Sequence, residues 1–158
     1  MKKFEFTGET KTISLFFRTA TLHRIRAVAE FGLVKIGDLG GWIEKEENLS
    51  HEGKAWVWGN AEVCGDAKVW GNAKVFSASH VLVIGAIGSR NDFTTFFRDK
   101  DNEITVKCGC FLGKIDKFLE KVTQTHGDSK YALVYRAAVE VARLQIDLSG
   151  EAPKDADE

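Results

Sequence analysis

The stretch of this chain richest in side chains that could do chemistry is IGSRNDFTTFF, residues 87–97. Gly88 and Ser89 can expose backbone N–H groups in a turn, which makes a nest for an anion. Arg90 adds a planar, permanently charged fork suited to phosphate. Thr94 and Thr95 offer hydroxyls, while Phe93, Phe96 and Phe97 offer faces on which a base could stack. The plain alternative is a hairpin turn followed by a half-buried strand.

Other reactive side chains are thinner on the ground. Cys108-Gly-Cys110 would put two thiols on one face of a strand. That is half of a zinc site with no spacing that points to the other half, so two small residues packed beneath a helix are the expectation. The histidines, His23, His51, His80 and His126, are scattered, and no HExxH, nucleophile elbow or P-loop occurs. No catalytic residue, metal ligand or cofactor is therefore expected. His51 and His80 remain as candidate bases should the chain be an acyltransferase, and as exposed or capping residues otherwise.

The elements that must position these groups start from a repeat. The centre of the chain reads GKAWVW, GNAEVC, GDAKVW, GNAKVF, SASHVL, with valine fixed at 57, 63, 69, 75 and 81. One such unit cannot bury its apolar face alone, so a fixed period signals stacking. Valine and alanine suit a narrow interior, and glycine beside Asn or Asp supplies the positive φ of each corner. The pattern resembles the hexapeptide repeats of left-handed β-helix proteins. Three hexads per coil would stack Trp58 over Phe76 and Trp56 over Lys74, with Trp56, Trp58, Trp70 and Phe76 pointing outward. Such a patch would meet the C-terminal part, a subunit or a ligand.

Before the repeat, strands are expected at 4–6, 13–17 and 23–28, with Gly40 and Gly41 marking a turn. After it, strands are expected at 81–89, 92–99 and 103–111. Ile115, Phe118, Leu119 and Val122 then give one helical face, stopped by Gly127, and a second helix runs from Asp128 or Ser129 to about Ile146. That helix is apolar round most of its circumference, so it needs covering on more than one side, by the solenoid or, on our reading, a neighbouring subunit. The expected fold is mainly β with an α+β C-terminal part. It comprises a short left-handed β-solenoid capped by N-terminal strands, then three strands and two helices. The expected divisions are 1–82 for cap and solenoid, 83–147 for the strand–helix module, and 148–158 for a disordered acidic tail.

Composition narrows the function classes. Among 158 residues, 22 basic and 23 acidic side chains leave a net charge of −1, which argues against a general nucleic-acid binder. No apolar run approaches a membrane span or a signal peptide. Three cysteines are too few for a disulfide framework, so a reducing cytoplasm is expected.

The stretches TLHRIRAVAEFG and GDLGGWIEKEENLSHEG, together with the GNAxVxG hexads, resemble a widespread group of phage and prophage hexapeptide-repeat proteins. IGSRNDFTTFF, CGCFLGKIDKF and the His126-Gly127 pair resemble a module that recurs in them. The resemblance implies a virus-encoded, non-catalytic protein in the cytoplasm of an infected or lysogenic bacterium. By analogy it implies an oligomeric sponge that sequesters a small, cyclic-dinucleotide-like signal of antiviral defence. The implied ligand-binding set is Gly88, Ser89, Arg90, Asn91, Thr94, Thr95 and Phe97. Arg90 would pair with phosphate, Ser89, Asn91 and Thr94 would hydrogen-bond, and an aromatic ring would stack a base. A structural or interaction module that inhibits a host protein stands beside this reading, and an acyltransferase behind both.

Overall fold

A computed structural model describes residues 1–150, so most of the expected acidic tail lies outside the described residues. The chain forms β1 (Phe4–Ser14), β2 (Thr19–Ala27), β3 (Leu39–Ile43), β4 (Trp56–Val57), β5 (Glu62–Val63) and β6 (Lys74–Val75). It continues as β7 (Val81–Ile87), β8 (Asp92–Arg98), β9 (Ile104–Cys108), β10 (Phe111–Lys114), α1 (Ile115–His126) and α2 (Lys130–Gln145). Two 3-10 turns, Glu46–Asn48 and Ala78–His80, punctuate it.

The strands form three separate sheets, ordered β1-β2-β3-β5, β10-β9-β8-β7 and β4-β6. This corrects the expected fold. The described residues form a mixed α+β chain with two helices, not a mainly β chain built on a left-handed solenoid. The reason is local: three hexads pair over only two residues, a fourth makes a single bridge at Val69, the last runs into the antiparallel β7, and these pairs do not join into a closed coil. Two four-stranded sheets, antiparallel except at the parallel β3–β5 pair, carry most of the ladder instead. The period is also uneven. Ile43 pairs with Val63 and Leu49 with Val69, 20 residues apart, whereas Trp56 pairs with Lys74 and Val57 with Val75, 18 apart. The corner at residues 50–53 takes up the difference.

What the repeat does specify is which side chains go inside. Val57, Val63, Val69 and Val75 are buried with Ala61, Ala67 and Ala73 in one core, and Trp58 stacks on Phe76 with ring centres 4.5 Å apart. The tryptophans are not an outward patch. Trp56 is 1% exposed, held edge-on by Phe4 and Phe31, while Trp70 is half-buried beneath the Lys107 ammonium. Gly40 and Gly41 lie inside β3 rather than in a turn, because neighbouring groups leave no room for a side chain.

Short stacks expose backbone at both ends, and flanking side chains close them here. At one end the buried Lys3 ammonium donates to the Ala55 carbonyl at 2.7 Å, and burial pulls its pKa down to about 7. At the other, the Lys68 N–H donates to Thr95 Oγ1 at 2.9 Å and Arg98 Nε donates to the Lys74 carbonyl at 3.1 Å.

His80 is a capping residue of the same kind. Its Nδ1 accepts from the N–H groups of Phe76 (3.0 Å) and Ser77 (3.2 Å), which only a ring unprotonated at Nδ1 can do. Burial first, then the Arg98 charge, holds its pKa below the usual histidine value, with Asp147 opposing. Just below pH 6.5 the unfolded chain therefore takes up a proton that the folded chain refuses. Stability should fall as pH drops through that window, by up to about 1.4 kcal/mol per pH unit, and level off below the folded-state pKa. His80→Asn cannot take up that proton. Urea midpoints across pH 7.5–5 (roughly the span of histidine titration) should slope less in this variant, and parallel curves would refute the role.

Candidate functional site

The β7–β8 hairpin closes through Gly88–Asn91, with Ile87 paired to Asp92. Gly88 (φ 80°) and Asn91 (φ 49°) take the left-handed conformations the turn demands, and Asn91 N–H donates to the Gly88 carbonyl at 3.2 Å. Gly88 is also the floor for Tyr135: any Cβ there would overlap the Tyr135 hydroxyl.

A cleft of about 250 Å³ opens between this turn, the β9–β10 turn and the helices. Ser89 and Arg90 line it from the first turn, Cys110 and Phe111 from the second, and Lys121 and His126 from α1. Its aromatic wall is built in sequence: Phe118 meets Tyr135 edge-on at 5.7 Å, and the His126 ring lies against Tyr135 at 5.7 Å and 24°. Burial, and then the neighbouring Cys108 thiol, push the Tyr135 phenol up to about 12, so it stays protonated. Among the described residues Arg90 and Lys121 have no carboxylate partner, whereas Arg18 and Arg26 each hold one and Lys114 holds three. Asp92 stands on the rim as the one local acid.

A second cleft, about 310 Å³, lies on the other side of the same turn. Gly88, Ser89 and Asn91 line it opposite Lys130, Tyr131 and Val134 of α2. Ser89 thus borders both.

The seven residues singled out from the sequence divide. Gly88, Ser89, Arg90 and Asn91 reach the clefts. Thr94, Thr95 and Phe97 do not, because β8 is an inner strand covered on both faces. Thr94 donates to Cys108 Sγ at 3.4 Å, Thr95 is spent on the Lys68 N–H, and Phe97 sits in the core beside the valines. The cysteines are also placed differently from the expectation. Gly109 (φ 55°) turns the chain, so Cys110 leaves the strand and is exposed while Cys108 stays half-buried. Lys121, Thr125, His126 and Tyr135 were not singled out as a site. Lys121 and Thr125, four apart on α1 with His126 beside the Gly127 stop, were the available signal.

No group of three or more metal-ligating side chains occurs among the described residues. No helix among them is long and apolar enough to cross a membrane. No protein-family model matches the sequence, and a search of curated proteins gives no match.

Proposed function

We propose that this chain is a non-catalytic binding protein for a small nucleotide, held at the β7–β8 turn. The carrying observation is the pair of cations that hold no carboxylate in an ion pair, Arg90 and Lys121, beside the His126–Tyr135 ring pair in one cleft whose single acid is Asp92 on the rim. Arg90 grips phosphate with its fork, Lys121 adds a point charge, and Ser89 hydrogen-bonds. A base stacks against the aromatic wall. Because Ser89 borders both clefts, a ligand of cyclic-dinucleotide size can lie across the turn with its second half near Asn91 and Lys130. The biological setting that fits is a phage-encoded sponge for a bacterial defence signal, which needs tight binding and no turnover. His51 and His80 each accept a backbone N–H, which speaks against either as an acyltransferase base. One observation favours the host-inhibitor reading: Phe16 and Phe17, 93% and 92% exposed, crown the β1–β2 hairpin.

Thermal unfolding with a panel of cyclic dinucleotides and ADP-ribose derivatives tests the proposal. A true ligand at 100 times its dissociation constant adds about 2.7 kcal/mol of stability. Arg90→Ala and Lys121→Ala should each remove most of that gain, while Lys117→Ala, on α1 but paired to Glu120, should keep it. Ligand released by denaturation should be chemically intact. A full shift in Arg90→Ala would discard the site, and a converted ligand would discard the non-catalytic reading.

A further inference from the structure

The core-facing side of α2 carries Ala138, Val139 and Ala142, all buried. At 100° per residue the opposite side is also apolar: Leu133, Val134, Ala137, Val141 and Leu144 form one stripe. Val134, Ala137, Val141 and Leu144 follow each other at spacings of three, four and three, the interval of a helix seam that meets another helix. Leu133, Val141 and Leu144 are 61%, 46% and 89% exposed, so nothing in the described chain covers them. Residues 151–158, EAPKDADE, are charged or small and offer no large apolar side chain to do so.

We propose that two copies of this chain pair antiparallel along this stripe, crossing at Ala137. The small side chain lets the backbones approach at the crossing, and a two-fold axis through it sets Leu133 of each copy against Val141 of the other. Charge selects this orientation. A parallel pair would set Lys130, which lies on the stripe, beside Lys130 of the other copy. The antiparallel pair carries each Lys130 to the last turn of the other helix, where the free carbonyls lie. The 16 residues of α2 span about 24 Å. A seam that long falls at the low end of specific interfaces, so the dimer dissociates on dilution in the micromolar range. Tyr131 and Val134 also line the second cleft, so pairing raises one of its rims. The pairing itself does not depend on the ligand reading.

Sedimentation velocity on the full chain across the micromolar range should show the mass rising from one chain to two, equally at low and high salt. Val141→Glu and Leu144→Glu should hold it at one chain with unchanged far-UV circular dichroism. Should those variants misfold, cross-linking decides. In a Cys110→Ser background, Ala137→Cys under glutathione disulfide should give a disulfide-linked dimer, two thiols being oxidised as one glutathione disulfide is reduced to two glutathiones. Gln124→Cys, on the exposed side of α1, should not. A single-chain mass at every concentration, a dimer that persists in folded Leu144→Glu, or no cross-link at Ala137→Cys would overturn the proposal. So would single chains that sediment with phosphatidylglycerol vesicles through this stripe.

Discussion

Asn48→Ala should cost this protein about 3–5 kcal/mol of stability. Asn48 is fully buried, and its amide is saturated. Oδ1 accepts from the N–H groups of Glu44 (3.2 Å) and Lys45 (2.9 Å), while Nδ2 donates to the carbonyls of Gly65 (3.0 Å) and Ala67 (2.9 Å). The side chain therefore rivets the Glu46–Asn48 turn to the stretch that stacks beside it, where strand pairing is only two residues long. Alanine strands three backbone groups, the Lys45 N–H and the carbonyls of Gly65 and Ala67, each worth about 1–3 kcal/mol when left buried without a partner. The Glu44 N–H keeps the Val63 carbonyl at 3.0 Å. Partial entry of water keeps the sum below the simple total. Asn48→Asp should be at least as damaging, because its second oxygen would face two carbonyls. Guanidinium unfolding at constant m-value measures this, and a loss below about 1 kcal/mol would mean that water replaces the amide without penalty.

The same residue marks where sequence reading stops. A six-residue period says that Val57, Val63, Val69 and Val75 share an environment, and they do, since one buried position per repeat is a one-dimensional property. The number of residues at each corner is not. The extra residues at 50–53 shift the pairing offset from 20 to 18, and β5 joins one sheet while β4 and β6 form another. Helices were legible for the same reason the valines were: Phe118 and Val122 repeat at a helical interval, and Gly127 ends the pattern. The site was half legible. Gly88 to Asn91 announce a turn by composition alone, but which face of β8 a threonine occupies depends on what covers each side of the sheet. Once helices take one face and the valine core the other, Thr94, Thr95 and Phe97 have no solvent left to meet. The opposite wall, Lys121, His126 and Tyr135, lies more than thirty residues downstream of Ser89 and Arg90. No spacing rule links the two.

Gly41→Ala should destabilise the fold by about 3 kcal/mol, near the top of the range for overpacking. Nothing about its backbone conformation demands glycine, since Gly41 sits inside β3 outside the positive-φ region. What demands it is space. An added Cβ would lie 2.5 Å from the Ala61 carbonyl oxygen and 2.7 Å from Val57 Cγ1. The valine could rotate, but the carbonyl cannot withdraw freely, because it accepts the Trp42 N–H at 2.9 Å. Easing the clash would pull the β3–β5 pairing apart at its first rung and pry open the valine core beneath it. Gly40→Ala meets only side chains, Ile25 at 2.6 Å and the Trp56 ring at 2.7 Å, which can shift a little. The expected order of loss is therefore Gly41→Ala greater than Gly40→Ala, both read as a fall in denaturation midpoint. The reverse order would show that the aromatic packing around Trp56, and not the backbone rung at Ala61, sets the tolerance of β3.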